Sequence, residues 1–248
     1  MANHTMDTKK ESKVRWLPSK ALQINAPKNG KGQSQGEEVF ISYGPHSNGF
    51  LLSEYGFIIP NIQSNDLSEW KGNRYAEVHV DHIIIKMLEK QGKQGKAKIE
   101  LLQEQGYWGE YTIHPFPSPA HPSYRLLLSA RSIAVDLHEN EPLEKNGEIN
   151  AWYQNLQGIR DNINQRNEKR MHTILAEICM SICQDADQHV AAIKSSIPPQ
   201  TGSYPLDNTR ISLEEAIFSA KSLIALHEEE AHIARMLIYA IDNGQTDW

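Results

Sequence analysis

Several groups of residues have types and spacings that could do chemistry, and most fail on geometry. His227-Glu228-Glu229-Glu230-Ala231-His232 has the composition of a zinc-binding helix. Such a site needs two histidines four residues apart, so that both imidazoles share a face with the glutamate as base. Here the separation is five, which turns the two side chains about 140° apart on a helix of 3.6 residues per turn. Cys179 and Cys183 share a helix face, and His172 lies one heptad earlier. His172 to Cys183 nevertheless spans about 16 Å at 1.5 Å per residue, too far for one ion. The thiols are expected to pack as small hydrophobes, and no metal is expected. His114 and His121 stand among prolines in a loop without visible partners. No Gly-x-Gly-x-x-Gly, P-loop or Gly-x-Ser-x-Gly elbow occurs.

One stretch remains. Gly36-Glu37-Glu38-Val39-Phe40-Ile41-Ser42-Tyr43-Gly44-Pro45-His46-Ser47-Asn48, running on to Glu54-Tyr55-Gly56-Phe57, concentrates aromatic hydroxyls, glycines and polar punctuation. Only the Asn3-His4 pair upstream is comparable. Taken alone, Tyr43 and Tyr55 are amphipathic residues at a core edge with hydroxyls turned to water.

The elements that must position these residues follow from periodicity. The charged stretch Asp7 to Lys13 shows no apolar period. Leu22, Ile24 and Ala26 alternate with polar residues as a half-buried strand does. Asn29-Gly30 is hairpin-turn chemistry, and Val39 to Tyr43 reads as the second strand of the same unit. Leu51 to Phe57 predicts one helical turn. A polar break at Pro60 to Asp66 places a domain boundary near residues 60 to 75. Beyond it helices are predicted over His79–Gln91, Lys96–Gln105 and Tyr124–Leu137, the last capped by Ser123. Tyr107 to Ile113 predicts a short extended piece. Residues 138–158 predict a loop. Two long helices follow, Ile159–Ile193 and one from the capping box Ser212-Leu213-Glu214-Glu215 to Asn243-Gly244. A Pro/Ser/Gly connection over 195–209 separates them. Ala216, Leu223, Ala234, Leu237 and Ile241 line the apolar side of the last helix.

Bulk properties bound the rest. The 248 residues suffice for one large domain or two ordinary ones, and 39% hydrophobic with 23% charged residues is a globular balance. A net charge of -6 argues against a nucleic-acid binder. The basic runs Lys90 to Lys98 and Arg160 to Arg170 are flanked by acids and read as solvated helix faces. Two cysteines make no disulfide framework, and no membrane-length apolar run or signal segment is present. A cytoplasmic or nuclear protein is expected.

Asn3-His4, then Gly36-Glu37 leading to Tyr43-Gly44 with Ser47-Asn48, then Tyr55-Gly56-Phe57, resemble in order and spacing the C-terminal part of a SET domain. Within that superfamily the match is to the Rubisco large-subunit and ribosomal-protein lysine methyltransferase group. The helical remainder is similar to the substrate-binding domain of that group. The resemblance implies an α+β protein with residues 1–62 as a SET segment and 70–248 as the helical domain. It implies methyl transfer from S-adenosylmethionine to the lysine of a protein substrate, ribosomal or otherwise intracellular. It assigns cofactor contacts to Asn3, His4, Tyr43 and Tyr55, catalysis to Tyr43, and the target-lysine channel to Tyr55 and Phe57. The matched motifs begin at the Asn-His pair, so the Gly-x-Gly strand and helical insert that the family places earlier have no counterpart here. Residues 1 to 60 would then supply part of a cofactor site and an incomplete sheet with exposed edges and apolar surface. Impaired methylation is the expectation. A non-catalytic module that grips a protein partner with its long helices is the alternative.

Overall fold

A computed structural model describes residues 2–7, 9–18, 21–27, 34–61, 66–137, 143–197 and 212–248. The expected Asn29-Gly30 turn and most of the 195–209 connection lie outside them. The chain divides into two compact units, Met1–His46 and Ser47–Trp248.

The first unit is strand-built. β1 (Ala2–His4) runs parallel to β4 (Val39–Ile41), with Asn3 opposite Phe40 and His4 opposite Ile41. Ser12 N–H extends the pairing by donating to the Phe40 carbonyl at 2.7 Å. β2 (Lys13–Trp16) and β3 (Leu22–Asn25) form an antiparallel hairpin. The expected pairing of the 22–26 and 39–43 strands is therefore corrected: each takes a different partner, and the segment expected to lack structure leads into β2. Closing the short connection from Trp16 to Leu22 costs less chain entropy than closing Asn25 to Val39. The hairpin register sets Val14 against Ile24 and Trp16 against Leu22 on one face. Those four side chains are 42 to 77% exposed, and among the described residues of this unit only Ser12 is buried.

The second unit is mainly helical and opens with α1 (Asn48–Tyr55). Asn48 and Leu51 are buried, so the division by packing falls ahead of the 60–75 segment where composition places a boundary. β5 (Val78–His79), β6 (Thr112–His114) and β7 (His121–Pro122) make a small antiparallel sheet in that order. Between them stand α2 (Asp81–Lys90) and α3 (Lys93–Glu104), whose Ile83, Ile84, Leu88, Leu101 and Leu102 enter the core. α4 (Tyr124–Ala134) starts where Ser123 Oγ accepts from Leu126 N–H, as its sequence predicts. A 3-10 turn (Leu143–Lys145) leads to α5 (Gly147–Leu156). That helix overturns the loop expected over 138–158. Asn146 caps it by accepting from Glu148 and Ile149 N–H, and Ile149 and Trp152, three apart, bury fully.

α6 (Gln165–Ser196) and α7 (Leu213–Asp242) are the longest elements. Cys183 meets Ala231 and His189 meets His227, so the two run antiparallel. The capping box at Ser212 and Glu215 is formed. Ile233, Ala234, Met236, Leu237 and Ala240 bury one side of α7, whereas Leu223, expected on that side, is 41% exposed. The architecture is α+β, as the sequence predicts. No described helix is long and apolar enough to cross a membrane.

α4 is buried all round, from Leu126 to Ala134, so its polar groups need partners inside the protein. Arg131, 7% exposed, forms a two-pronged bond with Glu168 at 2.8 and 2.9 Å and donates to Asn155 Oδ1 at 3.1 Å. Lys98, 1% exposed, donates to Ile133 O (3.0 Å), Val135 O (2.6 Å) and Gln91 Oε1 (2.8 Å). Burial lowers its ammonium to about 8, with Arg170 adding to the fall. It is therefore still charged at neutral pH, with three N–H bonds for three acceptors. Lys98→Met keeps the volume but leaves two carbonyls at the end of α4 without this donor. Urea unfolding should show a loss of about 2 kcal/mol or more, the scale of orphaned buried polar groups. A surface pair such as Arg166–Asp136, 2.8 Å apart and about half exposed or more on both sides, should matter by about 1 kcal/mol at most.

Candidate functional site

In the first unit, the β1–β4 pairing brings together residues far apart in sequence. The Asn3 side-chain amide donates to Glu38 Oε1. His4 Nδ1 accepts the Tyr43 backbone N–H at 3.1 Å, and the two rings lie 5.3 Å apart, tilted by 55°. Tyr43 stands two residues past β4, half-buried. Gly44 follows with φ 121°, and a Cβ there would collide with the His46 ring. The chain thus turns sharply after Tyr43 where only glycine is relaxed.

Burial holds the His4 imidazole below its ordinary value, His46 adds to the fall and Glu11 opposes it. A neutral ring is what the Tyr43 contact requires, since imidazolium has no acceptor nitrogen. With the folded value lowered, the unfolded chain binds more protons at mildly acidic pH. The His4 contribution is therefore complete above the unfolded value and is lost as pH falls below it through the folded one.

In the second unit, Tyr55 ends α1, and Gly56 stops the helix in the left-handed region at φ 74°, its N–H donating to Leu52 O. Phe57 follows, with its ring 6.4 Å from that of Tyr55; the Phe50 ring lies 6.3 Å from Tyr55. Tyr55 is 48% exposed. The structure thus pairs His4 with Tyr43, and Tyr55 with Phe57.

The residues that hold the aromatic segment were not assigned from the sequence. Asn48 Nδ2 donates to Ile59 O (2.8 Å), while Ile59 N–H donates to Asn48 Oδ1 (2.9 Å). The same Nδ2 donates to Glu229 Oε2 on α7 at 2.7 Å, and Asn73 Nδ2 approaches Asn48 Oδ1 at 3.4 Å. Glu229 is 5% exposed; burial raises its carboxyl to about 7, the Asn48 bond opposes the rise, and Glu230 adds to it. A signal for Glu229 exists. It falls on the stripe 229, 233, 236 and 240, whose other members are the buried Ile233, Met236 and Ala240.

The remaining candidates separate. His227 Nδ1 bonds Glu230 Oε2 at 2.9 Å, and its ring faces His189 at 4.8 Å, whereas His232 lies by Trp70 at 5.9 Å. Cys179 is fully buried with its thiol pushed up by burial, and Cys183 donates weakly to Ala231 O at 3.6 Å. His114 and His121, expected in a loop without partners, are instead paired across β6 and β7 with rings 5.7 Å apart. Thr112 Oγ1 also lies 2.9 Å from His114 Nε2. Among the described residues no group of three or more His, Cys, Asp or Glu is placed to hold a metal ion. The His4 geometry yields a direct measurement: in an NMR pH titration the Tyr43 amide resonance should move as pH drops below about 6.5. In His4→Phe that movement should vanish.

No family model matches the chain. Curated relatives do. Ribosomal lysine N-methyltransferase 2 of Saccharomyces cerevisiae is 37% identical over 78 residues, 32% of this chain and 13% of the relative. SET domain-containing protein 4 of Mus musculus is 28% identical over 182 residues, 73% of this chain and 35% of the relative. Its counterpart in Homo sapiens is 30% identical over 152 residues, 61% of this chain and 29% of the relative. The chain thus spans at most about a third of the length of these relatives. The resemblance carried by Asn3-His4, Tyr43 and Tyr55-Gly56-Phe57 agrees with them: this chain is similar to SET-domain proteins and ribosomal lysine methyltransferases.

Proposed function

We propose that this chain supplies part of an S-adenosylmethionine-dependent protein-lysine N-methyltransferase, with residues 1–62 a SET segment and 70–248 a substrate-binding domain. The observation that carries the reading is the His4–Tyr43 pairing, in which the backbone of the proposed catalytic tyrosine is held by the imidazole of the proposed cofactor-contacting pair. Names of the relatives support the reaction class, and the ribosomal ones support a protein substrate such as a ribosomal protein. A cytoplasmic or nuclear location follows from such a substrate.

The cofactor supplies an electrophilic methyl group on a cationic sulfonium. The residues present fit such a group in kind: aromatic rings tolerate cationic sulfonium and ammonium centres, and the Asn3 amide and His4 ring add polar contacts. In this reading Asn3, His4, Tyr43 and Tyr55 contact the cofactor, and Tyr55 with Phe57 walls the lysine channel. Desolvation by those rings lowers the amine's pKa and favours the neutral nucleophile. The Tyr43 hydroxyl accepts a hydrogen bond from the amine and aims its lone pair, which is the gain from holding a near-attack geometry.

A second reading is a helical module that binds a protein partner without chemistry. The observation behind it is an apolar cavity of about 400 Å³ between the far ends of α6 and α7, lined by Ile193, Ile197, Ile217 and Ala220. Phe218 stands close by in sequence, 54% exposed.

Two measurements separate the readings. Calorimetry with S-adenosylmethionine should show binding, and micromolar affinity would remove the pure-module reading. Radiolabelled cofactor with a cell extract should label protein lysine, at a rate impaired relative to a full-length relative. Tyr43→Phe should then lower the rate at least about tenfold, the scale of one hydrogen bond of about 1.4 kcal/mol in the transition state. Labelling undiminished in Tyr43→Phe would take Tyr43 out of the catalytic role.

A further inference from the structure

α1 is a short helix tied to the rest of its unit at few points. At eight residues it is too short to be stable alone. Of its residues only Asn48 and Leu51 are buried. Leu51 supplies apolar contact but no orientation. Orientation comes from the Asn48 carboxamide, whose two hydrogens and carbonyl oxygen are all engaged.

That amide has two ways to sit, related by a half-turn about its last bond. In the observed one, Oδ1 meets the Ile59 N–H while Nδ2 serves the Ile59 carbonyl and Glu229 Oε2. A half-turn would set Nδ2 against the Ile59 N–H and Oδ1 against the Glu229 carboxyl oxygen. Ile59 belongs to the irregular segment after α1 and cannot hold itself in place. Glu229 belongs to the middle of a 30-residue helix, α7, packed along α6. Glu229 is therefore a fixed point, beside the buried Asn73 whose Nδ2 reaches Asn48 Oδ1 at 3.4 Å, and the segment it helps to fix, through Asn48 and Ile59, contains Tyr55, Gly56 and Phe57.

We infer that Glu229 is a positioning residue for the Tyr55–Phe57 aromatic pair, acting through the Asn48 carboxamide as a hydrogen-bond acceptor. The value of that positioning rests on the proposed role of the pair as channel wall. The clamp itself is measurable with no cofactor or substrate, so failure of the methyltransferase reading and failure of the clamp are distinguishable.

The test is amide hydrogen exchange at Ile59, combined with a fluorotyrosine label at Tyr55, in the full chain. Glu229→Leu should speed Ile59 exchange at least about tenfold and shift the Tyr55 fluorine signal. The Leu128 and Leu175 amides, which report global opening, should hold their rates. Glu229→Gln keeps an acceptor oxygen at the same reach and should restore both readouts. If Glu229→Leu does not fold, Glu229→Asp, one methylene shorter, takes its place with the same expected losses. Unchanged Ile59 exchange in the folded Leu or Asp variant overturns the inference. So does a Gln variant as defective as Leu, or a Tyr55 signal that stays put while Ile59 exchange rises.

Discussion

A helix buried on every side has no solvent to satisfy its ends, and α4 sets that demand for the whole helical unit. Its last carbonyls and its buried Arg131 side chain must be met by neighbours. They are. Gln91, just past α2, donates to Ile133 O, and Lys98 of α3 donates to Ile133 O and Val135 O. Trp152 of α5 donates to Leu128 O, and Asn167 of α6 donates to Arg131 O. α3, α5 and α6 thus each contribute apolar surface and also a polar side chain at a required place, as does Gln91 after α2. This explains why an interior built mainly from Leu, Ile and Ala admits Lys98, Arg131, Asn155 and Asn167. Apolar surface alone would let the surrounding helices slide; the donors define where each one stops.

The same economy recurs at Asn48, where a single amide ties a short helix, an irregular segment and α7. There burial shifts the acid toward its neutral form, with Glu230 adding to the rise and the Asn48 bond opposing it. A hydrogen-bonded neutral acid costs much less to bury than a carboxylate. The first unit is made differently. Among its described residues only Ser12, just ahead of β2, is buried, and its order comes from backbone pairing and from His4 against Tyr43.

How much of this was legible depended on the range of the interaction. Caps written in adjacent residues, Ser123 and the Ser212–Glu215 box, were readable because their partners lie within one helical turn. Core stripes such as Ile83, Ile84 and Leu88 were readable from spacing alone. Strand pairing was not, because alternation at Leu22 and Val39 says that each is a strand and nothing about its partner. α5 escapes the sequence because it is only ten residues long and its start rests on a lone Asn146. Among the site residues, family resemblance named Asn3, His4 and Tyr43, and their mutual contact needed the β1–β4 register. Asn48 was visible within a motif without a role. Glu229 stood inside a run that attracted notice for its histidines. What marked it was membership of an apolar stripe, a long-range property that becomes meaningful once the stripe is known to be buried.

Lys98 gains a different meaning beside relatives whose names describe work on lysines. Methylation needs an amine with a free lone pair and a clear approach for the incoming carbon. At Lys98 the nitrogen is enclosed, charged at neutral pH, and engaged by two main-chain carbonyls and a glutamine. It serves as part of the scaffold. The same functional group therefore has opposite fates according to its surroundings: structural where three oxygens hold its protons, reactive where apolar walls take one away.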